Sequence, residues 1–190
     1  ANDFSLLAPA LAETLRLARE AAAAAAPEKD LYDALMDEHE PGMTRARLDP
    51  VLRDLGARLA PLVRAAAEDG RAADADDDPV CGADAQLAIV RDLMEQIGFD
   101  FARGALDTAT HPGTSALGFD DVRLSLRPGE QGLCQSILTA LHEAGHGLYD
   151  QGYDAADKGT LLAAAPSMGL HEANARLWEN HVGRSRAFWG

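Results

Sequence analysis

Apolar residues fall at three- and four-residue steps through most of this chain, which is the period of helices with one buried face. Leu7, Leu11, Leu15 and Ala18 form the first such stripe and predict a helix over residues 4–26, stopped by Pro27. A shorter element over 32–40 closes at the turn signal Pro41-Gly42. Leu48, Leu52, Leu55, Leu59 and Leu62 predict a third helix, with Asp49 as N-cap, Pro50 at its first position and a kink at Pro61. Val90, Leu93, Met94 and Ile97 share a face of a helix over 86–97, with Gly98 as its stop. Residues 99–120 carry no sustained period. Val122, Leu124 and Leu126 then alternate with Arg123, Ser125 and Arg127, a half-buried strand ended by Pro128-Gly129. Cys134, Ile137, Leu138, Leu141, Gly145 and Leu148 mark another helix, and Leu170, Ala173, Leu177 and Val182 a last one ending at Gly183. The pattern is mainly α with a small β element.

The helix over Leu141 to Gly152 reads L-H-E-A-G-H-G-L-Y-D-Q-G and contains H-E-x-x-H. Residues at i and i+4 lie one above the other on a helix, so His142 and His146 can reach one tetrahedral metal ion. Glu143 sits about 100° further round, poorly placed as a ligand but able to touch a water on the metal, which makes it the candidate general base. Gly145 and Gly147 each cost about 1 kcal/mol of helix propensity against alanine. Close approach of another backbone or of a substrate accounts for them. Two ordinary histidines on a helix flank would explain the same letters.

A third ligand is therefore the test, since catalytic zinc takes three protein ligands and leaves a fourth position to water. Glu172, near the start of the last helix in S-M-G-L-H-E-A-N-A-R-L-W-E-N-H-V-G, is the candidate oxygen donor. Its competing reading is an exposed carboxylate paired with Arg176 at i+4.

These two segments together resemble the carboxypeptidase Taq family of metallocarboxypeptidases. The family places its third ligand in an H-E-S-Q/M segment, and the matching glutamate is Glu172. Its H-P-F and D-x-R-x-T segments have counterparts in His111-Pro112-Gly113 and Asp121-Val122-Arg123-Leu124-Ser125. The resemblance covers essentially the whole chain. It implies a helical, gluzincin-like metallopeptidase domain with a small sheet edge strand beside the H-E-x-x-H helix. It also implies Zn2+ as cofactor, release of single C-terminal residues from a peptide substrate, dimerisation, and His111 on the substrate side; Arg123, Arg176 and Arg184 are the candidates to hold a substrate carboxylate, with Arg176 also open to pairing with Glu172. Gly113 stands where the family has phenylalanine, Ser125 where it has threonine, and Ala173-Asn174 where it has Ser-Gln or Ser-Met. None of these removes a ligand or the base. The later family segments I-R-x-x-A-D and G-x-x-Q-D-x-H-W, which by resemblance hold the substrate carboxylate, have no match. Residues 1–190 thus read as one partial catalytic domain, cut from something longer, as the start without Met also suggests.

Two neutral imidazoles and one carboxylate leave Zn2+ with net positive charge, enough to polarise a peptide carbonyl and acidify a water. Co2+ and Mn2+ accept the same donors. An edge strand beside such a helix binds extended peptides by main-chain hydrogen bonds, and the 122–127 strand is the candidate. A plain strand of a small sheet is the equal alternative.

Charge and composition narrow the classes further. A formal net charge of −14 excludes phosphate-backbone binding, which needs a basic face, so no nucleic-acid partner is expected. No basic n-region precedes an apolar run, and nowhere do eighteen apolar residues follow one another, so no membrane partner is expected. Only Cys81 and Cys134 are present, which favours a reducing cytoplasm; Cys134 is expected as a small buried hydrophobe. The acidic loop over 68–84 alternates Asp74, Asp76 and Asp78, but lacks the glycine and terminal glutamate of a Ca2+ loop. Three functions remain: a metallocarboxypeptidase, a catalytically incomplete metal-binding or assembly module of the same fold, and an endopeptidase of the same ligand set.

Overall fold

The alternating segment at Val122 becomes the middle strand of a sheet, not its edge. In the computed structural model, which describes residues 3–69, 78–79, 81–129 and 132–190, the strands are β1 (Gly104–Thr108), β2 (Gly113–Gly118) and β3 (Asp121–Leu126). Their order is β1-β3-β2, with β1 parallel to β3 and β2 antiparallel to it. Thr114 stands opposite Leu124, and Ala105 opposite Arg123. β3 is hydrogen-bonded on both sides, so the assignment of a free edge to 122–127 is corrected: the edges are β1 and β2. These two strands fall where no period was visible, because most of their side chains face away from the core and carry no alternation.

The helices follow the apolar stripes more closely. The unit Ala1–Ala65 holds α1 (Phe4–Ala25), α2 (Leu31–His39) and most of α3 (Arg45–Glu68). Asp3 and Asp30 cap the first two, accepting from the backbone N–H of Ser5 and Tyr32. α3 begins at Arg45 with the Thr44 hydroxyl near the Arg47 N–H at 3.4 Å, so Asp49 is not its cap and Pro50 lies inside it. Pro61 lies inside it as well, and the two missing N–H groups in this 24-residue helix are outweighed by the turns around them. The leucine stripes of α1 and α3 remain open: Leu7 is 56% exposed and Leu55 54%.

The unit Ala66–Gly190 contains the sheet and four helices: α4 (Ala83–Gln96), α5 (Leu133–Gln151), α6 (Met168–Arg176) and the short α7 (Arg186–Trp189). A 3-10 turn, Ala155–Asp157, follows α5, and a π-helical turn, Leu177–Val182, continues α6 up to Gly183. Val122, Leu124 and Leu126 bury one face of β3 among Ile137, Ala140, Leu141 and Ala144 of α5 and Val90 and Met94 of α4. The α6 stripe predicted from Leu170, Ala173 and Leu177 is exposed; α6 buries Ala175 instead, and Trp178 packs on the core.

Polar ties hold this unit in register. The Ser136 hydroxyl donates to the side-chain Oε1 of buried Gln86 at 2.8 Å, and the Gly129 N–H reaches the same atom at 3.0 Å. Asp78 caps α5 from a distant segment, its Oδ1 2.7 Å from the Cys134 N–H. Cys134 is half-buried, and burial together with Asp78 pushes its thiol up. The calcium reading of Asp74 and Asp76 lies outside the described residues. Among the described residues no helix is long and apolar enough to cross a membrane.

Candidate metal centre

α5 presents His142 and His146 half-buried on one side, as i and i+4 spacing requires, and α6 crosses them with Glu172. The crossing is close because Gly145 allows it, while Gly147 makes room for a core side chain. A Cβ on Gly145 would sit 2.7 Å from Ala175 Cα on α6, and one on Gly147 2.7 Å from the Phe99 ring. Gly145 therefore answers to close approach of another backbone, as its propensity cost implied, whereas Gly147 answers to a core side chain. Asn174 adds a tie, donating its side-chain N–H to the Gly145 carbonyl at 2.5 Å.

The result is a cluster in which one ligand atom each from His142, His146 and Glu172 lies within 4.8 Å of the others. Glu172 Oε2 is 3.3 Å from His146 Nε2 and 3.8 Å from His142 Nε2. Tetrahedral zinc with bonds near 2.0–2.2 Å places its ligand atoms roughly 3.3–3.6 Å apart, so the donor set fits a divalent cation. Both imidazoles also turn their other nitrogen outward. His142 Nδ1 meets Glu179 Oε2 at 3.0 Å, and His146 Nδ1 meets His171 Nδ1 at 2.8 Å, which leaves the two Nε2 atoms facing the centre. Burial pushes His146 from its ordinary 6.5 down to about 4, with His171 and His142 adding to the effect. At neutral pH it is an uncharged imidazole, the form a metal requires.

Glu172 makes the Arg176 pair and faces the two histidines as well. Its Oε1 accepts from Arg176 Nε at 2.7 Å while Oε2 faces the histidines. Arg176 also reaches Glu179 at 2.8 Å, and Arg184 reaches the other oxygen of Glu179 at 3.1 Å. Burial raises the Glu179 carboxyl, but the hydrogen bonds from Arg184 and His142 and the Arg176 charge leave it below the usual range. The π-helical turn carries Glu179; such turns recur at functional sites.

Glu143 is buried beside the pair, and its carboxylate is 2.7 Å from the Thr114 hydroxyl on β2. Burial raises its pKa, opposed first by Thr114 and then by the charges of His142 and, more weakly, His111. His111 stands two residues before β2, the strand whose Thr114 meets Glu143. Arg123 does not join it: it projects from the face of β3 opposite Val122 and Leu124 and forms a forked pair with Asp121, both bonds at 2.8 Å. Sequence reading missed the parts played by Thr114, Asp150, His171 and Glu179. Only His171 carried a signal, as the residue directly before the ligand candidate.

Comparison with known proteins supplies the family. The family model for carboxypeptidase Taq (M32) metallopeptidases matches residues 1–190. The chain is 32% identical over 189 residues to carboxypeptidase 1 of Bacillus subtilis, covering 99% of this chain and 38% of that protein. It is 38% identical over 167 residues to thermostable carboxypeptidase 1 of Thermus thermophilus, covering 86% of this chain and 32% of that one. The crystal structure of the M32 carboxypeptidase from Deinococcus radiodurans R1 superposes with a TM-score of 0.86 at 40% identity, covering 99% of this chain and 38% of that chain. The chain spans little more than a third of the length of these relatives, and with a matching family model, sequence and fold it belongs to the carboxypeptidase Taq (M32) family of metallopeptidases.

Proposed function

We propose that residues 1–190 form part of one catalytic domain of a metallocarboxypeptidase that releases C-terminal residues from peptides. His142, His146 and Glu172 are its metal ligands, Glu143 its general base, and Zn2+ its metal, with Co2+ or Mn2+ able to substitute. The observation that carries this reading is the convergence of two Nε2 atoms and one carboxylate oxygen beside a buried second carboxylate. When bound, the cation supplies Lewis acidity to a peptide carbonyl and to the attacking water.

The chain's own groups do the rest. Glu143 takes the proton of the attacking water and returns it to the departing amine, and burial brings its pKa nearer to a working pH. Thr114 suits both states of that carboxyl, because its oxygen is 2.7 Å from Glu143 Oε2 and 3.0 Å from the Glu143 backbone carbonyl. With Glu143 charged, the threonine O–H donates to the carboxylate. With Glu143 protonated, the glutamic acid donates to the threonine oxygen, whose own proton turns to the backbone carbonyl. β2, an edge strand with Ser115, Ala116 and Leu117 exposed, is the place for an extended peptide to add by main-chain hydrogen bonds. His111 lies on this substrate side; Arg123 reaches a substrate carboxylate only by releasing Asp121.

The exposed leucines of α1 and α3 favour a second reading, a module that holds metal without positioning substrate. One assay separates the two. The purified chain with added Zn2+ or Co2+ is given an N-blocked peptide, with Glu143→Gln and a C-terminally amidated substrate alongside. Turnover lost in both controls supports the carboxypeptidase, turnover of the amidated peptide indicates an endopeptidase, and one bound metal without turnover supports the module.

A further inference from the structure

His171 bridges His146 and a carboxylate that takes no other part in the site. Its Nδ1 lies 2.8 Å from His146 Nδ1, and its Nε2 lies 3.0 Å from Asp150 Oδ1. The two rings are near-parallel, 21° apart with centroids 4.6 Å from one another, so the short contact joins rings that also stack. Tyr149 packs edge-on against His171, ring centroids 5.1 Å apart, and limits its rotation. All three side chains of the series are largely shielded from solvent.

The proton assignment follows from the partners. A carboxylate accepts only, so His171 Nε2 carries a proton and donates it to Asp150. When His171 carries only that proton its Nδ1 is bare and accepts from His146, which then carries its own proton on Nδ1. The lone pair of His146 is therefore on Nε2, the nitrogen 3.3 Å from Glu172. His142 reaches the same tautomer in one step, through Glu179.

We infer that His171 and Asp150 form a relay that fixes the tautomer and ring orientation of His146, which makes both of them positioning residues for metal binding. The inference rests on His146 being a metal ligand. α6 then supplies a ligand and the orienting group for another ligand from adjacent residues, His171 and Glu172.

Metal affinity measures this directly. The chain is stripped with a chelator and titrated with Zn2+ against a chromogenic competitor, and with Co2+ by visible absorption. Circular dichroism and melting of the metal-free forms check the fold. The parent should bind one metal and His146→Ala none. His171→Phe keeps the ring without its nitrogens and should weaken binding about 10- to 100-fold, with an altered Co2+ spectrum. Asp150→Leu should do the same, while Asp150→Asn, whose carbonyl oxygen accepts the same bond, should recover most of the affinity. Parent-like affinity in folded His171→Phe or Asp150→Leu, with binding lost in His146→Ala, overturns the relay and leaves the ligand assignment standing. A parent that binds no metal overturns both. If His171→Phe does not fold, Asp150→Leu reads the relay from its other end and decides by the same two results.

Discussion

Thr114 holds Glu143 from the neighbouring strand, its hydroxyl 2.7 Å from the carboxylate and 3.0 Å from the same residue's carbonyl oxygen. β2 and α5 are thereby joined at the carboxyl proposed as the general base. On that proposal, a peptide lying along the edge strand β2 would be registered against it.

Thr114→Val removes the hydroxyl at nearly constant volume. A hydrogen bond to a charged group is worth about 1.5–3 kcal/mol, so kcat/KM should fall roughly 10- to 100-fold. Thr114 stabilises the charged form of Glu143, so its loss raises the carboxyl pKa further. A general base must be deprotonated, and the acid limb of the pH–rate profile should move to higher pH. Metal affinity should stay unchanged. An unmoved acid limb would remove Thr114 from the proposed chemistry.

Glu172→Gln tests the third ligand. The Glu172 side chain is 43% exposed, and surface pairs such as Glu172–Arg176 contribute about 0–1 kcal/mol, so the metal-free melting temperature should change little. The stabilisation gained on adding Zn2+ is a different matter. At a free metal concentration 100 times Kd it amounts to about 2.7 kcal/mol, and in the variant most of it should disappear at the same concentration. An equal rise in melting temperature for both proteins would exclude Glu172 as a ligand.

The pH dependence of the metal-free protein follows from His146. Its pKa is depressed from 6.5 to about 4 by burial, with His171 and His142 adding to the effect and Glu172 opposing it. The unfolded chain therefore binds more protons than the folded one between these values, and stability rises with pH across that window. The contribution is complete above about 6.5 and is lost as pH falls through about 4, on the order of 3 kcal/mol in all. His146→Gln should flatten the melting temperature between pH 6.5 and pH 4 in chelator-treated samples, relative to the parent. Parallel curves for the two proteins would contradict the assignment.

Local periodicity explains what could be read in advance. The α5 stripe, the i, i+4 histidines and the alternation of β3 are all short-range, and each appears as expected. Glu172 was legible as a candidate because two histidines on one metal ask for a third donor. The missed features are of another kind. Thr114 and Glu143 are 29 positions apart, and His142 and Glu179 37, so no spacing encodes either contact. β1 and β2 expose most of their side chains and leave no hydrophobic trace. The free edge was assigned to β3 because alternation reports burial of one face and says nothing about how many neighbours a strand has. α3 starts early because Thr44, not Asp49, sits at its entrance. The π-helical turn is no more visible in advance, since its i→i−5 bond from Gly183 to Trp178, at 2.8 Å, follows no pattern of residue type.

Gly145 and Gly147 separate packing from site geometry. Alanine at either would gain about 1 kcal/mol of helix propensity and then meet a neighbour it cannot fit. At Gly147 the obstacle is the Phe99 side chain, which belongs to the core; overpacking there should cost roughly 1–3 kcal/mol and lower the melting temperature. At Gly145 the obstacle is backbone, Ala175 Cα at 2.7 Å and Asn174 carbonyl oxygen at 3.1 Å. Backbone cannot turn aside, so Gly145→Ala must move α6 away from α5. Glu172 travels with α6, while His142 and His146 stay on α5. Gly145→Ala should therefore lose metal affinity as well as stability, and Gly147→Ala stability alone. Melting curves and chelator-competition titrations on the two variants give the comparison. Equal metal affinity in both would mean that the distance between α5 and α6 does not set the ligand geometry.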